Sequence, residues 1–148
     1  MIDQGSHLID LARWFLGDLK VAFRFTPSYF WPGRADDNCF LAVTSATGQM
    51  AWLHTSWTEW KNQFSLEIMG RTGKLTIDGL GGSYGLERLT YHRMLPQMGP
   101  PETNQWEYPL PDPSFADEFE NFVAAIDGDT YDAMAALELI QSIYERMP

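Results

Sequence analysis

At 148 residues the chain has the length of one ordinary domain, 1–148, able to bury most of a single core. It is 45% hydrophobic, 14% aromatic and 20% charged, a folded globular composition. Acids outnumber bases 20 to 10 for a formal net charge of -10, so nucleic acid and anionic membrane are poor partners; no apolar run approaches bilayer-spanning length and the start lacks a signal-peptide pattern, which reads as cytoplasmic.

In chain order, residues 2–16 predict a helix, with Leu8, Leu11, Ala12 and Phe15 at helical spacing and Gly17 at the C-cap. Phe23 and Phe25 alternate along residues 20–30, which end in the loop "PSYFWPGRADDN". "CFLAVTSATGQMAWLHTSW" reads as a hairpin turning at Thr47 and Gly48, and "FSLEIMGRTGKLTID" as a second hairpin turning at Gly70 to Gly73. Residues 64–68 alternate in a one-sided pattern, whereas 50–57 are apolar or aromatic on both faces, implying a sheet covered on both sides.

"GLGGSYG" is a glycine-rich loop before a strand at 86–92, and residues 94–114, with six of the nine prolines, form an extended crossing with a short strand at Gln105 to Tyr108. Ser114 then caps a helix with an apolar stripe of Phe115, Phe119, Phe122 and Ile126, and a last helix from about Asp132 carries Leu137, Ile140, Ile143 and Met147 inward. The expected fold is α+β: an open, mainly antiparallel sheet of about five or six strands with helices on one face. The other face is expected to meet a second copy, making a homo-oligomer through the sheet.

Asp3 and His7, four residues apart, fall on one helix face, where the carboxylate can orient the imidazole and make it a proton acceptor near neutral pH. The same spacing describes an ordinary helix-terminal acid beside a surface histidine. Gly5 between them costs about 1 kcal/mol of helix stability relative to Ala, which points to close approach of a ligand or another domain to the backbone. The single Cys39 excludes an internal disulfide and reads as a core residue, and the three histidines have no metal-like spacing with carboxylates, so no metal site is expected.

The run from Asp3 to Gly17, "DQGSHLIDLARWFLG", resembles the segment that opens the C-terminal half of the glucose-fructose oxidoreductase and inositol dehydrogenase (Gfo/Idh/MocA) family. The Asp37-Asn38 strand entry, the Met69 to Leu75 hairpin and the Phe115 to Phe119 helix are similar to that half as well. The resemblance implies a substrate-side and oligomerisation domain of an oxidoreductase using NAD or NADP. In it, His7 is the general base that takes the proton of a substrate hydroxyl, and Asp3 orients it.

The family's cofactor sits in an N-terminal Rossmann domain whose glycine fingerprint and lysine motif are missing here. "GLGGSYG" places Tyr84 where the third glycine belongs and reads as a tight loop between strands. The chain is thus expected to resemble a substrate-side domain deprived of its cofactor domain, with no bound cofactor and no activity alone. Its candidate substrate contacts, for a sugar, polyol or related hydroxylated compound, are Trp31, Arg34, Trp57, Trp60 and Asn62, whose rings and polar groups suit stacking on a sugar and bonding its hydroxyls. The same tryptophans would equally fill a sheet interface. The alternative function is a non-enzymatic oligomerisation or sugar-binding module.

Overall fold

The computed structural model describes residues 3–33, 35–97, 99–109, 111–124 and 131–145. In chain order these form α1 (Gln4–Leu16), β1 (Leu19–Phe25), β2 (Asn38–Ser45), β3 (Met50–Ser56), β4 (Ser65–Met69), β5 (Gly73–Asp78), β6 (Glu87–Arg93), β7 (Glu102–Tyr108), α2 (Ser114–Ala124) and α3 (Tyr131–Glu145). The expected α+β class with antiparallel strands is what the chain adopts. Its strands form two sheets, one ordered β1-β2-β3 and one ordered β4-β5-β6-β7, and the chain divides into two compact units, residues 1–58 with 127–148, and residues 59–126.

In the first unit, β2 lies between β1 and β3, and α1 and α3 cover one face of the sheet. The core is Ile9, Ala12, Leu19, Cys39, Leu41, Val43, Ala136, Ile140 and Ile143. Each large aliphatic side chain among them contributes about 1.5–3 kcal/mol by leaving water. Burial pushes the Cys39 thiol up to about 11, so it stays a neutral core group.

The bulge in β1 decides which aromatics face outward. Val21 pairs with Val43 but Phe23 pairs with Ala42, so one extra residue, Ala22, reverses the side on which the following residues stand. Leu19 and Val21 consequently belong to the core, while Phe23 and Phe25 share the opposite face with Phe40, Trp52 and His54. On that face Phe40 stacks on His54 with ring centroids 4.3 Å apart, and Phe23 on Trp52 at 5.9 Å.

The strand shielded nearly throughout is the central β2, while β3, at the sheet's edge, alternates exposed and half-buried residues because the helices cover only one face. Two sequence expectations are corrected in this unit. The buried stripe of α1 is Gly5, Ile9 and Ala12, leaving Phe15 exposed. On α3 the inward residues are Ala136, Ile140 and Ile143, and Leu137 is 59% exposed because the helix turns it away; Met147 lies outside the described residues.

The second unit is an antiparallel meander whose two faces differ in chemistry. Leu66, Ile77, Leu89 and Trp106 stand opposite one another across the four strands, followed by Ile68, Leu75 and Tyr91 in the next register row. The reverse face is polar: Lys74 pairs with Glu67, Arg88 with Glu107 at 2.9 Å, and Ser65 donates to Asp78 at 2.9 Å. Such exposed pairs contribute about 0–1 kcal/mol each and mainly keep that face wet. β7 begins at Glu102, three residues before the expected Gln105, since its polar residues complete the ladder along β6.

α2 starts at Ser114, and the capping group is the carboxylate of Asp112, which accepts the Ser114 N–H at 2.9 Å. Hydrogen bonds from the Ser114 backbone and then its side chain hold the Asp112 carboxyl below its usual range. The phenylalanine stripe is present, with Phe115, Phe119 and Phe122 all exposed, and Ile126 lies outside the described residues.

Candidate active site

The acid and the imidazole of the sequence motif stand at the start of α1. Asp3 precedes the helix with helical angles, φ -72° and ψ -73°, so it sits one turn before His7, and both are exposed. Asp3 accepts from Gln4 Nε2 at 3.1 Å, and its carbonyl accepts from Ser6 Oγ at 2.8 Å. Among the described residues no hydrogen bond or ion pair joins Asp3 to His7. Gly5 between them is buried, and with Leu8 it borders a crevice, too narrow for water, against Cys39, Leu41, Leu53 and Thr55.

Trp31 lies in the long connection between β1 and β2, residues 26–37, and Arg34 of the same loop is outside the described residues. The loop is organised around Asp37, which is buried. Its Oδ1 accepts from Tyr29 N at 2.9 Å, and its Oδ2 from Phe30 N at 2.7 Å and Trp31 N at 3.1 Å. Asn38 Nδ2 adds a bond at 3.1 Å and also reaches Thr58 Oγ1 at 3.0 Å. Burial on its own would raise the Asp37 carboxyl, but the donors from Phe30, Tyr29, Asn38 and Trp31 outweigh it and hold the group well below the usual carboxylate range.

Sequence reasoning quoted Asp37 only as a strand entry and missed this role. The signal was present: a long loop leaves backbone N–H groups without ladder partners, and an acid at its end is a ready acceptor.

Trp57 belongs to the first unit, where its N–H bonds the Asp37 carbonyl at 2.9 Å and its side chain is 56% exposed. Trp60 and Asn62 belong to the second unit, and both are exposed. Trp60 has φ +58°, a left-handed backbone that a bulky residue seldom adopts. A shallow recess of about 420 Å³ in the second unit is lined by Thr72, Tyr91, Arg93, Met94, Leu95 and Pro96, none of them an expected site residue.

The glycine loop does not fit a dinucleotide cradle. It joins β5 to β6, which pair antiparallel, so no helix N-terminus follows it to receive a pyrophosphate. Gly79 has φ +79°, and a Cβ there would lie 2.4 Å from the Leu86 carbonyl oxygen, so the space beside it is filled by the chain itself. Among the described residues no group of three or more His, Cys, Asp or Glu is placed to hold a metal ion, and no helix is long and apolar enough to cross a membrane.

No curated protein matches the sequence significantly. Among solved structures, the WlbA dehydrogenase from Bordetella pertussis, in complex with NADH and UDP-GlcNAcA, is similar with a TM-score of 0.62 at 19% identity, over 96% of this chain and 40% of its own. A candidate oxidoreductase from Bacteroides fragilis gives a TM-score of 0.64 at 18% identity, over 97% of this chain and 47% of its own. The chain thus spans less than half the length of either, and identity at this level carries the fold alone. The model of the GFO/IDH/MocA C-terminal domain family matches residues 1–76, just over half of the chain and the part that holds α1, the Asp37 loop and both opening hairpin strands. On that match, the chain belongs to the GFO/IDH/MocA C-terminal domain family.

Proposed function

We propose that this chain is the substrate-side domain of an NAD(P)-dependent oxidoreductase acting on a sugar, polyol or related hydroxylated compound, and that it is inactive alone. The observation that carries the reading is the exposed Asp3 and His7 pair at the head of α1, inside the stretch that matches the family. His7 accepts the proton of the substrate hydroxyl as its carbon is oxidised, and Asp3, one turn earlier, favours the imidazolium that results. The nicotinamide would supply hydride acceptance, and in this reading it is held outside this chain. Trp31 and Arg34 of the loop, with Trp57, Trp60 and Asn62, are the proposed contacts to the sugar-like substrate, supported by the UDP-sugar bound to the Bordetella dehydrogenase.

The same reading includes self-association through the sheet. Phe23, Phe25 and Trp52 are 50%, 50% and 59% exposed side by side on one sheet face, a contiguous aromatic patch of the kind that marks an interaction surface. Sedimentation at tens of micromolar, a rough scale for a modest interface, is expected to give a dimer or larger species. A clean monomer would contradict it. Calorimetry with NADH and NADPH tests the rest: no measurable heat of binding is expected, and a micromolar Kd would overturn the division of labour proposed here.

A further inference from the structure

The connection between β1 and β2 is longer than its topology requires. An antiparallel pair can be joined by about two to five residues, yet residues 26–37 make a loop of 12, tied at many points. Pro27 O accepts from Asp37 N at 3.3 Å and Asn38 N at 3.2 Å, closing the base. Ser28 Oγ donates to Ala35 O at 2.8 Å across the middle, and Tyr144 OH donates to Asp36 Oδ1 at 2.6 Å from α3. At the tip, Tyr29, Phe30 and Trp31 are 65%, 59% and 44% exposed.

Three consecutive N–H groups converge on the Asp37 carboxylate, and this bundle is what shapes the tip. A buried carboxylate without donors is costly, and so are three amides without an acceptor, so each group holds the other in place. The product is a loop whose core is fixed and whose tip stays partly exposed, with the Phe30 and Trp31 rings packed edge to face at 4.9 Å, an arrangement that lowers the ordering cost of binding. An unshaped loop would bury such rings or lose them to motion.

We propose that Asp37 is a positioning residue: it presets the Tyr29–Trp31 turn, and with it Trp31, in the form in which this loop meets the ring of a sugar-like substrate. The inference rests on the functional reading above for the identity of that ligand. Asp37 touches the loop backbone and acts on the ligand only through it.

The test uses the 148-residue chain and the variants Asp37→Asn, which keeps the shape and removes the charge, and Trp31→Phe. Amide exchange at Tyr29, Phe30 and Trp31 should accelerate at least about 10-fold in Asp37→Asn, with less than about a 2-fold change at Leu41 and Leu53 of the core strands. Acrylamide quenching assigned to Trp31, by difference against Trp31→Phe, should rise in parallel. With UDP-GlcNAcA as the probe, Asp37→Asn should weaken binding at least about 5-fold, and Trp31→Phe should cost little more in that background, because both changes disable one contact.

Unchanged exchange at residues 29–31, or acceleration equal at Leu41 and Leu53, overturns the proposal. So does a loosened loop with the probe's affinity intact. A wild-type chain that fails to bind the probe counts against the functional reading, while exchange and quenching still decide whether Asp37 fixes the turn.

Discussion

The Tyr144 hydroxyl donates to Asp36 Oδ1 at 2.6 Å, joining α3 to the β1–β2 loop across 108 residues of sequence. A bond of this kind to a carboxylate in a half-buried setting contributes about 1–2 kcal/mol. Tyr144→Phe removes only the oxygen, so urea unfolding should shift to a lower midpoint by that amount with the slope unchanged. An unaltered midpoint would show that the helix is held by its apolar side alone.

The two faces of α3 should respond unequally to truncation. Ile143 is 0% exposed and Leu137 is 59% exposed. Ile143→Ala is expected to cost about 2–5 kcal/mol from lost burial and the cavity left behind, and Leu137→Ala about 0.5 kcal/mol or less. Equal costs in thermal or urea unfolding would mean that Leu137 is covered in solution.

The depressed Asp37 carboxyl sets a pH window. A carboxylate whose folded value lies below its unfolded one stabilises the native state above the unfolded value, about 3.9, and loses that contribution as pH falls through the folded value. The Asp37 carboxyl carbon followed by NMR should therefore stay ionised from neutral pH down to about pH 3, with the Tyr29–Trp31 amides unshifted over the same range. A midpoint near 4 would contradict the hydrogen-bonded geometry.

Much of the fold was legible because the chain punctuates itself. Gly17 ends α1 with φ +73° and its N–H on the Arg13 carbonyl at 2.7 Å, and Gly48 turns the first hairpin with φ +88°. The alternation of residues 64–68 likewise marked the one-sided β4. Periodicity could not show the extra residue at Ala22, since a bulge is a property of strand pairing, and that residue alone moves Phe23 to the outer face. Nor could it place Leu137, because helical spacing identifies a stripe without fixing its rotation against a sheet. At the site, the acid and imidazole were visible as a motif. For Asp37 the sequence offered only a general signal, an acid closing a long loop; which amides it accepts from depends on the fold, because every residue carries one.

Glycine substitutions separate a turn from a packed turn. At Gly48 an added Cβ meets open space and only the left-handed backbone is strained, whereas at Gly79 it would also lie 2.4 Å from the Leu86 carbonyl oxygen. Gly48→Ala should cost about 1 kcal/mol and Gly79→Ala distinctly more, read by thermal unfolding of the two variants side by side. Similar costs would indicate that the β5–β6 loop yields freely.

In the proposed function, His7 and the aromatic loop meet a sugar-like substrate while the nicotinamide is held elsewhere. The most direct measurement is an NMR titration of the 148-residue chain, following the His7 imidazole and the Trp31 indole, with UDP-GlcNAcA and with NADH in separate series. Saturable shifts at both residues with the sugar nucleotide, and none with NADH, are the predicted result. Shifts with NADH, or a His7 imidazole indifferent to the sugar nucleotide at saturation, would contradict the account.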